Sequence, residues 1–280
     1  MMFIVADSGS TKTIWALVEN GKTIQTFKTK GLNPYFVNSG EIFKTLTLEF
    51  PPDKIQNKVH HVYFYGAGCS SDNMKQIIFN GLKKYFINSE IEINTDLLGA
   101  ARALFKKEKG IAAIIGTGSN TGAYNGRAIV QSIKSLGYAL GDEGSGAHLG
   151  KLLITDYLHD DLPQGLQEKF ETEYALSKDD IIYSIYKKPF PSKFMASFAT
   201  FLNDNKNHPH IKNLINKSLQ QLFEKYICRY PNYKNLNLGF VGSVAYYIQP
   251  ELEAMAKYYG IKITQVIKEP LKGLVEFHLQ

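Results

Sequence analysis

Two short stretches carry residue types that could do chemistry on phosphates. The first is ADSGSTKT, residues 6–13, which follows the apolar run Phe3–Ile4–Val5. It fails as a P-loop, which needs Gly-Lys-Ser/Thr after a Gly and four residues and then opens into a helix. No Gly precedes Lys12, and TIWALVEN continues with strand-favouring residues up to Asn20-Gly21, a hairpin signal. The remaining chemistry is a hairpin turn whose backbone N–H groups and hydroxyls could hold an anion, with Asp7 at the strand end. The second stretch, IAAIIGTGSNTGAYN, again runs from an apolar strand into a Gly/Ser/Thr turn, and Asn125-Gly126 follows it. DSGSTKTIWALVENGKTIQTF and GTGSNTGAYNGRAIVQSI share one order: strand, turn containing Gly-Ser, strand, Asn-Gly, strand. That is an internal repeat of a structural unit.

The elements that must position these turns follow from the pattern. The first hundred residues read as strands at 3–7, 13–18 and 22–28 and a helix near 40–49. A strand in HHVYFYGAG, a helix over 72–86, a strand in IEINTD and a helix in LLGAARALF follow. Residues 145–240 read as mostly helical, with loop-containing connections at 208–216 and 229–235. LNLGFVGSVA is a late strand, and Pro270 is expected in the first turn of a last helix, LKGLVEFHL.

The bulk numbers bound the class. The chain has 280 residues, 44% hydrophobic and 21% charged, enough for two packed domains. No run approaches the roughly 20 apolar residues of a membrane span, and no signal peptide is visible, so no membrane partner is expected. Two cysteines without metal-like spacing, Cys69 and Cys228, read as a reducing, cytoplasmic compartment. The net charge of +6 is spread over scattered lysines, a solvated surface rather than a nucleic-acid stripe. His208 and His210 lack a third ligand, and His148 reads as a packing or capping residue.

Two α/β units, each opening with a Gly-rich hairpin, resemble the superfamily of actin, hexokinase and Hsp70-type ATPases. The resemblance sharpens at GYALGDEGSGAHLGK, residues 137–151. GDEGSG preceded by GTGSN, with Asn-Thr-Asp upstream, is similar to N-acetylglucosamine kinases and BadF/BadG-type ATPases. It implies two ribonuclease H-like domains facing a cleft and closing on substrates. Residues 1–104 would form the N-terminal domain, with helix 270–280 packed back on it. Residues 105–269 would form the C-terminal domain with a helical insertion.

The implied activity is ATP- and Mg²⁺-dependent phosphorylation of an amino sugar, at O6 of N-acetylglucosamine or a relative. Phosphoryl transfer needs positioning, charge neutralisation and a base. Ser8, Gly9, Ser10 and Thr11 form the first phosphate loop, and Gly116, Thr117, Gly118 and Ser119 the second. Asp7 would hold Mg²⁺ through water. Asp96 is the expected general base, although an Asp before LLGAARAL is also a good helix N-cap. Asn33, Asn120, Asp142 and Glu143 are candidates for sugar hydroxyls, joined there by Asp96, while Glu143 could instead favour a helix dipole. Gly239, Gly242, Ser243 and Val244 are expected at adenine.

Where the family carries Gly-Gly-Trp, this chain has Lys134-Ser135-Leu136, so the amino sugar is open between N-acetylglucosamine, glucosamine and N-acetylmuramic acid. The resemblance also implies a homodimer. The rival reading is an ATPase that activates a partner enzyme, although its iron–sulfur cysteine motif is absent from this sequence. A sugar-sensing repressor would place a DNA-binding domain before the first loop, and the first strand begins near Phe3.

Overall fold

The computed structural model describes residues 2–50 and 55–280. The chain divides into two compact units. Unit 1 is Met1–Glu108, Asn125–Ile129 and Glu269–Gln280, and unit 2 is Lys109–Tyr124 and Val130–Lys268.

Unit 1 runs β1 (Met2–Ser8), β2 (Lys12–Glu19), β3 (Lys22–Lys30), α1 (Ser39–Glu49), β4 (His61–Gly66), α2 (Asp72–Tyr85), β5 (Glu90–Thr95) and α3 (Asp96–Phe105). Its sheet has the order β3-β2-β1-β4-β5. β1, β2 and β3 pair antiparallel, and β1, β4 and β5 pair parallel. The Asn20-Gly21 turn is the type I′ hairpin that the dipeptide predicts, since both residues have positive φ, 50° and 80°. β2 is buried from Thr13 to Val18 because it lies inside the sheet, and its Trp15 anchors the core. The indole stacks on Phe27, meets Phe50 edge-on and donates its N–H to the Thr29 hydroxyl at 3.0 Å.

Unit 2 runs β6 (Lys109–Ile115), β7 (Ser119–Asn125), β8 (Ile129–Ile133), α4 (Gly137–Leu140), α5 (Gly146–Leu158), α6 (Gln164–Tyr174) and α7 (Lys178–Tyr186). It continues through α8 (Pro191–Ser197), α9 (Ala199–Asp204), α10 (Pro209–Lys225), β9 (Asn237–Val241), α11 (Ser243–Tyr247), α12 (Gln249–Tyr258) and β10 (Ile263–Ile267). The sheet order is β10-β9-β6-β7-β8, with β9 parallel to both β6 and β10. Counted from each unit's first strand, the two orders are the same, so the repeat seen in sequence is a repeat of topology. α13 (Leu271–His278) then packs on α3, β1 and β2 of unit 1.

Two expectations change, and a third is refined. Residues 209–225 form one helix, not a loop: Pro209 stands at its first turn and the His208 ring accepts the His210 N–H at 3.2 Å. β10 was not read from sequence, because ITQVI is short and largely exposed or half-buried. Asn125-Gly126 opens the hairpin turn between β7 and β8, but a wider one than Asn20-Gly21: the Asn125 side chain accepts from Arg127 and Ala128.

Candidate active site

In unit 1 the parallel strands β1, β4 and β5 end level with one another, with Ser8 opposite Gly66 and Gly66 opposite Thr95. Asp7 and Asp96 therefore stand at strand ends two spacings apart, roughly 10 Å between backbones. The strand between them ends in Gly66 and puts no side chain in the way. C-terminal strand ends are where open α/β sheets bind ligands.

The Asp96 N-cap reading moves by one residue. Thr95 is the cap, accepting the Leu98 N–H at 3.2 Å, while Asp96 opens the helix and accepts the Leu97 N–H through Oδ1 at 2.8 Å. Burial pushes the Asp96 carboxyl above the ordinary range, and backbone N–H groups oppose the rise. Asp7 is pushed up to about 7, first by burial and then by the charges of Asp96 and Glu269, with Lys12 pulling the other way. Among the described residues its carboxylate has no hydrogen bond or ion pair. An unpaired carboxylate crowded by others fits a divalent cation held through water. No group of three or more His, Cys, Asp or Glu is placed to cage a metal among the described residues.

The first loop turns tightly, the Gly9 N–H donating to the Lys12 carbonyl at 2.9 Å. Ser8 is buried and its hydroxyl is committed, 2.8 Å from the Thr13 hydroxyl and accepting the Leu32 N–H at 3.1 Å. Ser8 therefore builds the loop, and Ser10 and Thr11 are its exposed part. Asn33 is buried and donates to the Ser10 hydroxyl at 2.8 Å while accepting the Tyr35 N–H at 3.0 Å. It is a brace for the loop as well as an Asn-Pro turn residue. Gly31 escaped the sequence reading: a Cβ there would lie 2.4 Å from the Ser10 carbonyl carbon, so the loop rests on its bare backbone.

In unit 2 the second loop is docked on the start of α5. Gly146 and Ala147 donate their N–H groups to the carbonyls of Gly116 and Thr117 at 2.9 and 3.0 Å. The Gly116 N–H is spent on Gly118, and the Ser119 N–H on the Asp142 carboxylate. Thr117 and Gly118 are the loop's free edge, Thr117 exposed. Asp142 adopts a left-handed φ of 57° and its carboxylate lies where a Gly118 side chain would go, 2.9 Å from an ideal Cβ. The Ser135 hydroxyl donates to the same carboxylate. Burial raises the Asp142 pKa, and the Ser135 and Ser119 bonds oppose it. Asn120 accepts the Thr121 N–H through Oδ1 at 3.0 Å, which leaves its amide N–H₂ available.

Glu143, the other acidic candidate for sugar hydroxyls, has both oxygens occupied within the protein. It is buried, one carboxylate oxygen is paired with Lys225 Nζ at 2.5 Å and the other accepts from the Tyr226 hydroxyl at 2.7 Å. Those partners hold its pKa down against burial. His148 packs as expected, its ring bonded to the Ser218 hydroxyl at 2.8 Å and its pKa lowered to about 4 by burial.

A cavity of about 410 Å³ lies among α5, α8, α9, α10 and α11, with Ser243 and Val244 in its wall. Its lining is mostly apolar, with Thr200, Asn203 and Asp204 as polar points that the sequence reading did not single out. Gly242 makes the turn above it: φ is 129° and a Cβ would lie 2.1 Å from the Ile115 carbonyl oxygen. Gly239, the other glycine expected at adenine, lies apart from this cavity. It sits inside β9, paired with Ala112 and Gln265.

Each unit thus carries the five-stranded sheet and the Gly-rich strand-end turn of an actin/hexokinase-type protein. No family model matches the chain, and no curated protein does. Solved structures do. A candidate N-acetylglucosamine kinase from Porphyromonas gingivalis is 39% identical over 99% of both chains, with a TM-score of 0.95. A second candidate N-acetylglucosamine kinase, from Chromobacterium violaceum, is 16% identical over 100% of this chain and 99% of its own, with a TM-score of 0.74. A ROK-family glucokinase from Streptomyces griseus, crystallised with glucose and AMPPNP, shares the fold at 15% identity and a TM-score of 0.57, over 99% of this chain and 98% of its own. The chain belongs to the N-acetylglucosamine kinase-like family, with the actin/hexokinase-type fold.

Proposed function

We propose that this protein is an ATP-dependent amino-sugar kinase, transferring the γ-phosphate to a ring hydroxyl, O6 of N-acetylglucosamine or a related amino sugar. The observation that carries the reading is the Asp96 carboxylate at a strand end beside Asp7, in a chain 39% identical throughout to a candidate N-acetylglucosamine kinase. Asp96 is the general base. It takes the proton of the sugar hydroxyl as that oxygen bonds to the γ-phosphorus and the bond to the β-phosphate oxygen breaks, releasing ADP. Its raised pKa suits a base, because a stronger base has more drive to accept the proton.

Ser10 and Thr11 are the phosphate-facing residues of the first loop, and Thr117 with Gly118 those of the second. Asp7 would hold Mg²⁺ through water, and the ion when bound supplies charge neutralisation on the phosphates. Asn120 and Asp142 offer donors and an acceptor to sugar hydroxyls. The cavity beside Ser243 and Val244 takes the adenine, its size and apolar walls suiting a flat heterocycle. The protein is expected to act in the cytoplasm as a homodimer.

The test is ATP consumption against glucosamine, N-acetylglucosamine, N-acetylmannosamine, N-acetylmuramic acid and glucose. Strong stimulation by one amino sugar supports the kinase. Steady hydrolysis that no sugar stimulates points to an ATPase acting on a partner. Asp96→Asn should fold normally and lose about 10²- to 10⁴-fold in turnover; near-wild-type rates would reduce Asp96 to a helix-start residue.

A further inference from the structure

Lys12 has no role in that scheme, yet its backbone is part of the first loop, its carbonyl closing the turn on Gly9. Its ammonium pairs with Glu269 at 2.9 Å, and both side chains are about half exposed, 53% and 46%. Glu269 is the residue at which the chain re-enters unit 1. It also acts on Asp7 as a nearby negative charge. Glu269 thus holds the Lys12 ammonium in an exposed ion pair.

We propose that Lys12 is a phosphate-positioning residue, parked on Glu269 in the free protein and drawn onto the phosphates of a nucleoside polyphosphate when one binds the Gly9–Thr11 turn. The proposal rests on the kinase reading. A half-exposed ion pair is weak and easily exchanged. A polyphosphate offers more charge than one carboxylate, and lysine's flexible four-carbon stem lets the ammonium move while the loop backbone stays fixed. Glu269 then sets the cost of releasing Lys12, so the two residues act on nucleotide affinity as one unit.

The experiment is direct calorimetric binding of ADP and of adenosine to the wild type, Lys12→Met, Lys12→Arg, Glu269→Gln and the Lys12→Met/Glu269→Gln double variant, with melting curves to confirm folding. Lys12→Met should weaken ADP about tenfold or more, the scale of a lost charge-assisted bond. Lys12→Arg should restore most of that loss, and adenosine binding should not change. Glu269→Gln should tighten ADP by about 1.5- to 5-fold, the scale of an exposed ion pair. That gain should vanish in the double variant.

Wild-type ADP affinity in Lys12→Met would overturn the proposal and leave the kinase reading standing. A Glu269→Gln gain that survives in the double variant would overturn the parking step, since Glu269 would then act by repulsion alone. If the wild type bound neither ADP nor adenosine, the kinase reading would fall and the proposal with it.

Discussion

Replacing Asp7 by Asn should make the nucleotide-free protein more stable at neutral pH while disabling it as a kinase. The folded chain holds the Asp7 carboxyl at about 7 instead of its ordinary 3.8, so the folded state binds the proton more tightly than the unfolded one. By linkage, the stability this group lends is fully present below about pH 4. It is lost as pH rises through about 7. At about 1.4 kcal/mol per pH unit, the loss between those limits has a ceiling of about 4 kcal/mol. Asp7 is not fully enclosed, and solvent and side-chain relaxation cut the expected value to about 1–2 kcal/mol. An amide has nothing to ionise, so Asp7→Asn escapes this loss. At pH 8 its melting temperature should exceed that of the wild type by a few degrees, at about 2–4 °C per kcal/mol for a chain of this size. The gap should close toward pH 4. The assay is thermal or urea unfolding of both proteins from pH 4 to pH 8 in chelator, read as the difference between the two curves so that other carboxylates cancel. A variant that melts below the wild type at pH 8, or a difference that does not change with pH, refutes the electrostatic account.

Four further outcomes follow from the same geometry. Glu143→Ala should cost about 1–3 kcal/mol of stability by stranding the Tyr226 hydroxyl and Lys225, with little change in sugar KM, as unfolding and steady-state kinetics will show. The pair's stabilisation, present above the ordinary carboxylate range, should be lost as pH falls through the depressed pKa of Glu143. Gly150→Ala should destabilise unit 2 by about 1–3 kcal/mol, because its Cβ would fall 1.8 Å from the Met195 carbonyl oxygen where α5 crosses α8; urea unfolding measures it. Ser243→Trp, filling the cavity from the exposed start of α11, should raise KM for ATP at least severalfold and leave KM for the sugar unchanged.

What the sequence made legible was local. Strand ends marked by Gly, the Asn20-Gly21 turn and the helix starting at Asp96 follow from period and turn chemistry within a few residues. The second sheet's fifth strand, Ile263–Ile267, gave no such signal, since an edge strand is neither alternating nor apolar enough to stand out. Ser135 holds Asp142 from seven residues upstream, and Glu269 meets Lys12 across 257 positions. Neither pairing has a local pattern, and both appear only when the chain is folded.

The GDEGSG turn shows why residue type alone cannot assign a site. Asp142 and Glu143 are adjacent, both acidic and both buried, so sequence offers either one to a sugar. The backbone separates them. A left-handed φ at Asp142 turns its carboxylate toward Gly118, at the second loop. Glu143, one residue on, turns instead toward α10, where Lys225 and Tyr226 take both its oxygens. The next residue, Gly144, also has a positive φ and packs its bare backbone on Leu222 of the same helix, so the turn cannot relax to exchange the two roles. Its rigidity therefore gives the neighbours opposite tasks: Glu143 ties the turn to the helical layer, and Asp142, held by Ser135 and the Ser119 N–H, is the carboxylate left facing the loop.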